Sequence, residues 1–240
     1  MIFQADLHTH TCASTHAYST ILENCTFANR CGLKAIAMTD HGMTMPDAPH
    51  VWHFHNLKAL PRKICGVTVL CGVEANVIDY DGHLDIDEET MSYLEWVVAS
   101  YHKYTCKPST FDEHTKGYLK LAENNDVDII GHPTTAMFEY DMERCVKKFK
   151  EYDKIIEINE SSIIWKRGSR ENSAELMRLA KKYDALISIN TDAHYCENIG
   201  QAPIAIQMAQ ELEVPERLII NTDWDRLRER IMKKRPGIVL

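Results

Sequence analysis

Residues 3–11, FQADLHTHT, and residues 186–194, LISINTDAH, are the two stretches whose reading decides the fold of this chain. Each is a short apolar run that closes on two side chains able to bind a metal ion, His8 and His10 in the first and Asp192 and His194 in the second. Residues two apart on a strand point to the same face, so each pair aims its donors together. Five further runs have the same build: AIAMTDHG (35–42), VLCGVEAN (69–76), WVVASYH (96–102), VDIIGHP (127–133) and IIEINES (155–161). All but IIEINES end on a donor, namely His41, Glu74, His102 and His132, and His16 lies just past the first run. Scattered single histidines are ordinary surface or core residues, but a donor at the same end of strand after strand needs a common cause. A polynuclear metal site at the mouth of a barrel supplies one.

The stretches between these runs read as helices. Ser19 is placed to cap TILENCTFANRC, which ends at Gly32, and Asp112 opens a stretch through Leu121. Residues 141–153 and 171–184 carry apolar side chains at helical spacing, and the C-terminal VPERLIINTDWDRLRERIMKK also reads as helix. Seven strand–helix units in alternation predict an α/β fold with parallel strands and helices outside. An open doubly wound sheet would gather donors at one switch point instead of spreading them over six strands. Closure into a barrel unites the first and last runs and their four donors, so a barrel is expected, with residues 1–240 forming one domain. Residues 43–66, MTMPDAPHVWHFHNLKALPRKICG, are the least regular part, expected to form a loop and helix over the mouth.

With 240 residues and 45% apolar composition, the chain has ample material for one large core. Its net charge of −8, from 27 basic and 35 acidic residues, argues against nucleic acid as a partner, although bound cations would cancel much of that charge locally. No stretch approaches the ~20 apolar residues of a membrane span, so no membrane partner is expected. MIFQADLH enters a strand-like run at once, without a basic or cleavable apolar leader, and a cytoplasmic location is expected. Eight cysteines with no C-x-x-C spacing read as reduced thiols, not as a disulfide framework or metal ligands. No coiled coil or apolar edge is visible, and a homo-oligomer is left open.

Nine donors are too many for one ion and generous for two. Glu74 can bridge two cations through its two oxygens, which no histidine can do. With Glu74 shared, the set divides into His8, His10, Glu74 and Asp192, then Glu74, His102 and His132, then His16, His41 and His194. Three divalent ions are therefore expected, and imidazole and carboxylate donors without thiolates suit zinc best, with manganese and iron also compatible. Asp6 shares the parity of His8 and His10 and is expected to orient an imidazole from behind. His50, His53 and His55 read as lid or supporting residues, His83 and His114 as solvent-facing, and Trp52 as a packing anchor.

The motifs HTH (8–10), HAYST (16–20), TDHG (39–42), GVEAN (72–76), GHP (131–133) and TDAH (191–194) resemble the PHP superfamily, named for polymerase and histidinol phosphatase. HAYST, DAPH-x-WHF (47–54) and EIN-x-SS (157–162) are most similar to its YcdX-like phosphatase branch. The resemblance covers nearly the whole chain in order. It implies a distorted (β/α)7 TIM-like barrel with a metal site of three ions at the carboxyl ends of the strands, and its ligand pattern falls on the same nine residues.

The chemistry expected of such a site is hydrolysis of a phosphate ester, a small-molecule monoester. A hydroxide bridging two metals at Glu74 would be ionised near neutrality, because the cations lower the pKa of water to ~7. The third ion would bind phosphate oxygens and offset charge on the leaving alkoxide. Arg167, in WKRGS after the sixth run, is at the right end of the barrel to clasp phosphate. Three alternatives stand beside this reading. The same metals could serve a phosphodiesterase or 3′–5′ exonuclease-like activity, an amidohydrolase bridged by a modified lysine would share the H-x-H strand, and a non-catalytic module could hold metals for stability.

Overall fold

The computed structural model describes residues 2–240. Seven parallel strands stand side by side in chain order, interleaved with helices: β1 (Ala5–Thr9), β2 (Ala35–Met38), β4 (Val67–Asn76), β5 (Trp96–Ser100), β6 (Ile129–Ile130), β7 (Ile155–Asn159) and β8 (Ile187–Asn190). A short strand, β3 (Lys63–Ile64), pairs antiparallel with β4 outside this series. Every residue of the seven parallel strands is buried, as a sheet covered on both faces requires. The fold is a distorted (β/α)7 TIM-like barrel.

The distortion lies at the seam between β1 and β8. Near the mouth their backbones meet directly, with Asp192 N donating to His8 O (3.0 Å) and His10 N to Ala193 O (2.9 Å). Further down, asparagine side chains replace the ladder. Asn190 Oδ1 accepts from Leu7 N (3.3 Å), while Asn221 Nδ2 donates to Ala5 O (3.0 Å) and Ile189 O (2.6 Å). A side-chain amide carries a donor and an acceptor like a peptide, so it can satisfy a strand edge that has lost its neighbour.

The barrel interior is layered. Alanine, leucine and isoleucine from five strands, with Trp96, pack at the amino ends, and Leu227 and Ile231 of α9 (Trp224–Lys234) join that cluster. Above it lies a buried polar layer of Glu157, Asn159, Ser188 and Asn190. The histidines come last, at the carboxyl ends. A larger apolar cluster packs the outer faces of the strands against the helices α1 (Ile21–Arg30), α4 (Phe111–Glu123), α5 (Met142–Glu151), α7 (Ser169–Tyr183) and α8 (Pro203–Glu211).

Several local expectations need correction. The cap of α1 is Thr20, which forms a reciprocal capping box with Glu23, whereas Ser19 Oγ accepts from Cys196 N (2.9 Å). Residues 43–66 contain the helix α2 (Val51–Asn56), but Phe54 and Leu57 pack against β4 on the barrel's flank, and the preceding loop is what reaches the mouth. Trp52 is 72% exposed and anchors nothing. His114 is buried, accepting from Ser109 N (2.8 Å) and donating to Glu139 O (2.8 Å), while His83 is exposed as expected. The C-terminal stretch opens with two short 3-10 turns before α9, whose cap is Asp223. Among the described residues, no helix is long and apolar enough to cross a membrane.

Candidate metal centre

Strands β1 and β4, which carry His8 and Glu74, and the loops after β1, β2, β5, β6 and β8 bring the nine expected side chains to one rim. Glu74 sits at its centre. Its Oε2 lies 2.8 Å from His41 Nδ1, 3.4 Å from His8 Nε2 and 3.6 Å from His10 Nε2, and its Oε1 lies 2.9 Å from His132 Nε2 and 3.4 Å from His102 Nε2. Asp192 Oδ1 is 3.1 Å from His10 Nε2 and 3.6 Å from His8 Nε2. The Nε2 atoms of His16 and His194 approach to 2.8 Å.

Four of the imidazoles have their outer nitrogen fixed by an oxygen. His8 Nδ1 meets Glu157 Oε1 (2.8 Å), His102 Nδ1 meets Asn76 Oδ1 (2.7 Å), His194 Nδ1 meets Asp192 O (2.9 Å), and His16 Nδ1 meets Asp47 Oδ2. Carboxylate and carbonyl oxygens only accept, so each Nδ1 is an N–H, and in the neutral ring that a metal requires Nε2 turns its lone pair inward. At His16 and His194 the two inward nitrogens face each other at 2.8 Å, a contact that between neutral rings of this tautomer needs something positive to bridge it. Within the rim, His8 Nε2, His41 Nδ1 and Glu74 Oε2 are buried without a hydrogen-bond partner, although His41 and Glu74 are close. Orphaned donors aimed at a common centre fit a cation cluster and are costly without one.

Among the described residues, three groups place their donor atoms close enough for one ion: His8, His10 and Glu74; His41, Glu74 and His102; and His10, His41 and His194. His41 therefore borders both the Glu74 side and the His194 side. No thiol enters these groups, and all eight cysteines are free.

Protonation follows from the same packing. Burial, with His194 and His41 alongside, pushes His10 down to about 3, and burial takes His102 to about 4 against the pull of Glu74. Both are neutral near pH 7, as ligation requires. Burial alone would lower His8, but Glu157, Glu74 and Asp192 outweigh it and raise the ring well above its usual value. Burial would likewise raise Glu74, yet His8, His102 and His41 hold it well below the usual carboxylate range.

Two strand-end residues adopt left-handed backbone, His132 (φ 26°) and Asp192 (φ 54°). Non-glycine residues pay for that region, and strain of this kind concentrates where a side chain must be aimed. Gly131, just before His132, has no room for a Cβ, which would overlap Ser100 Oγ and Val98 Cγ1.

Asp6 does not orient an imidazole. Register with β2 slips between Asp6 and Thr9, an extra residue that reverses the side-chain alternation. Ala5 and Leu7 fill the interior below the slip, and His8 and His10 face inward above it. Asp6 instead accepts from Thr191 N (3.2 Å) and Gly200 N (3.0 Å). The orienting carboxylate is Glu157 on β7, which also accepts from Asn190 Nδ2 (2.8 Å) and His132 N (2.7 Å). Its signal was a charge inside IIEIN, a run otherwise suited to burial on both faces.

Arg167 is exposed and does not line the cleft beside the cluster, whereas its neighbour Lys166 does. Arg167 closes a turn before α7, and Gly168 after it has positive φ. His53 Nε2 reaches Asp40 Oδ2 (3.1 Å), which braces the loop after β1 by accepting from Thr11 N and Ser14 Oγ (both 2.8 Å). His50 only caps α2, and His55 bonds Thr90 Oγ1 (2.9 Å).

The barrel and its rim define a class, and comparison with known sequences identifies the family. The PHP domain family matches residues 6–163, more than half of the chain. β8, Asp192 and His194 lie beyond that match and are joined to it by closure of the barrel. This chain belongs to the PHP domain family. A probable phosphatase of Clostridium novyi is 45% identical over 95% of this chain and 93% of its own length. One of Clostridium botulinum is 41% identical over 98% of this chain and 96% of its own. Among solved structures, the histidinol phosphate phosphatase of Lactococcus lactis, a complex with zinc, L-histidinol and phosphate, superposes with a TM-score of 0.59 at 16% identity, covering 88% of this chain and 93% of that one. At that identity the likeness carries the fold alone.

Proposed function

We propose that this chain is a metal-dependent phosphatase that hydrolyses small phosphate monoesters with three divalent ions, zinc by preference, held by His8, His10, His16, His41, Glu74, His102, His132, Asp192 and His194. The observation that carries this reading is the convergence of donor atoms on Glu74 and the 2.8 Å approach of the inward Nε2 atoms of His16 and His194, each ring fixed by an oxygen behind it. The names of the full-length relatives support the same activity. Divalent ions bound here would polarise phosphoryl oxygens and activate water at neutral pH.

The chain's own contribution is placement. Glu157, Asn76 and Asp47 fix the rings behind the donors, so they need no reorientation during turnover. Glu74 spans the cluster with both oxygens. Lys166 is the one lysine or arginine lining the cleft among the described residues, and we assign it the phosphate contact expected of Arg167.

The test is elemental analysis of the purified protein, followed by assay of p-nitrophenyl phosphate and its bis-aryl diester before and after chelation. The reading predicts about three ions per chain, monoester preference, and activity lost with the ions and restored with them. Undiminished turnover by metal-free protein would contradict it, as would diester preference or a metal-loaded chain without activity.

A further inference from the structure

Beside the donor cluster the cleft has a wall that the chemistry above does not use. The helix α6 (Glu160–Trp165) ends there with Ile164 and Trp165 exposed side by side, the indole at 81%. Both line a cavity of about 560 Å³, far larger than a phosphate group needs and within the range that encloses a small organic molecule. An indole face is a large, rigid platform that stacks flat rings at little entropic cost.

The charges lining the cleft as a whole narrow the choice. Its carboxylates are Glu74, Asp192 and Glu160. The first two belong to the donor cluster. Glu160 is buried, and its two oxygens accept from Ile204 N (3.0 Å) and Ala205 N (2.8 Å) at the start of α8. Lys166 adjoins Trp165, and the remaining polar groups include the neutral amides of Asn198 and Gln201. A cationic leaving group would meet Lys166 with no free carboxylate to offset it.

We propose that Trp165 is the specificity platform of this cleft, stacking a flat aromatic leaving group that is neutral or anionic. The proposal rests on the phosphatase reading and names the substrate class for that site. Phosphate esters of this kind enter with the ring on Trp165 and the phosphoryl group toward the histidines.

Three esters of primary alcohols test it on the metal-loaded protein: 2-phenylethyl, 2-cyclohexylethyl and 2-aminoethyl phosphate. The expected order of kcat/KM is phenyl, then cyclohexyl, then amino. Trp165→Leu is expected to lower the phenyl-to-cyclohexyl ratio about five- to tenfold, chiefly through KM, and Trp165→Phe to restore most of it. Calorimetric titration with 2-phenylethylphosphonate, which is not hydrolysed, is expected to show a similar rise in Kd for Trp165→Leu. An unchanged ratio and an unchanged Kd would overturn the proposal, as would preference for the amino ester. If the phosphonate contrast holds while no ester is turned over, the ring platform stands and the phosphatase reading falls.

Discussion

Strand β6 is two residues long and has a buried ionisable group just beyond each end, Asp128 at the floor of the barrel and His132 at the mouth. At the floor the charge is fully answered. Asp128 accepts from Lys234 Nζ (2.6 Å), from Arg235 through two nitrogens (2.9 and 2.7 Å) and from Val97 N (2.9 Å). At the mouth, His132 turns Nε2 toward Glu74, inside a set whose inner atoms are left partly without hydrogen bonds. Floor charges bind the C-terminal helix to the barrel and end there. Mouth charges are arranged for a guest, and burial without internal satisfaction is what separates a site from a staple.

Experiments can break that contrast in order of size. Glu74→Ala removes the centre of the cluster and is expected to lower kcat/KM on the order of a thousandfold or more, with ion content falling in parallel by elemental analysis. A variant retaining both would contradict the account of the mouth. Asp128→Ala leaves two partly exposed cations without their carboxylate and is expected to cost about 3 kcal/mol in urea unfolding, at the low end for breaking a buried pair. Its folded fraction should hold as many ions as the wild type. Loss of metal there would mean that floor and mouth are not separate.

Glu157→Gln keeps the shape behind His8 but removes the charge, and is expected to weaken metal affinity about 10- to 100-fold in a chelator competition. Unchanged affinity would make Glu157 a mere core residue. The smallest effects concern acid. Burial alone would raise Asp128, but Lys234 and Arg235 outweigh it and hold the carboxyl below its usual range. A depressed folded pKa gives stability that is present above the unfolded value of ~4 and is lost as pH falls through the folded value. The stability gap between wild type and Asp128→Asn, measured on metal-free protein, should therefore narrow below pH ~4. A gap constant from pH 7 to 3 would contradict the pairing.

The same contrast explains what the sequence could disclose. Donors that recur at one end of six of the seven runs are a periodic signal, so the barrel and the convergence of His8, His10, Glu74 and Asp192 were legible. Asp6 misled because parity survives only while register does, and one slipped residue in β1 reversed it. Glu157 was hidden by standing inside a run instead of at its end, although a charge in a strand buried on both faces always needs a partner. Arg167 and Lys166 differ by one position in a turn, where φ and ψ decide which side chain enters the cleft and no periodicity applies.

The central claim is that nine donors from six strand ends hold a cluster of cations. Anomalous X-ray scattering from crystals of the metal-loaded protein, collected at the absorption edge of the ion supplied, addresses it directly. The account predicts three peaks within the rim around Glu74, each bounded by the histidine and carboxylate atoms named above. A rim without peaks, or ions bound only elsewhere on the surface, would contradict it.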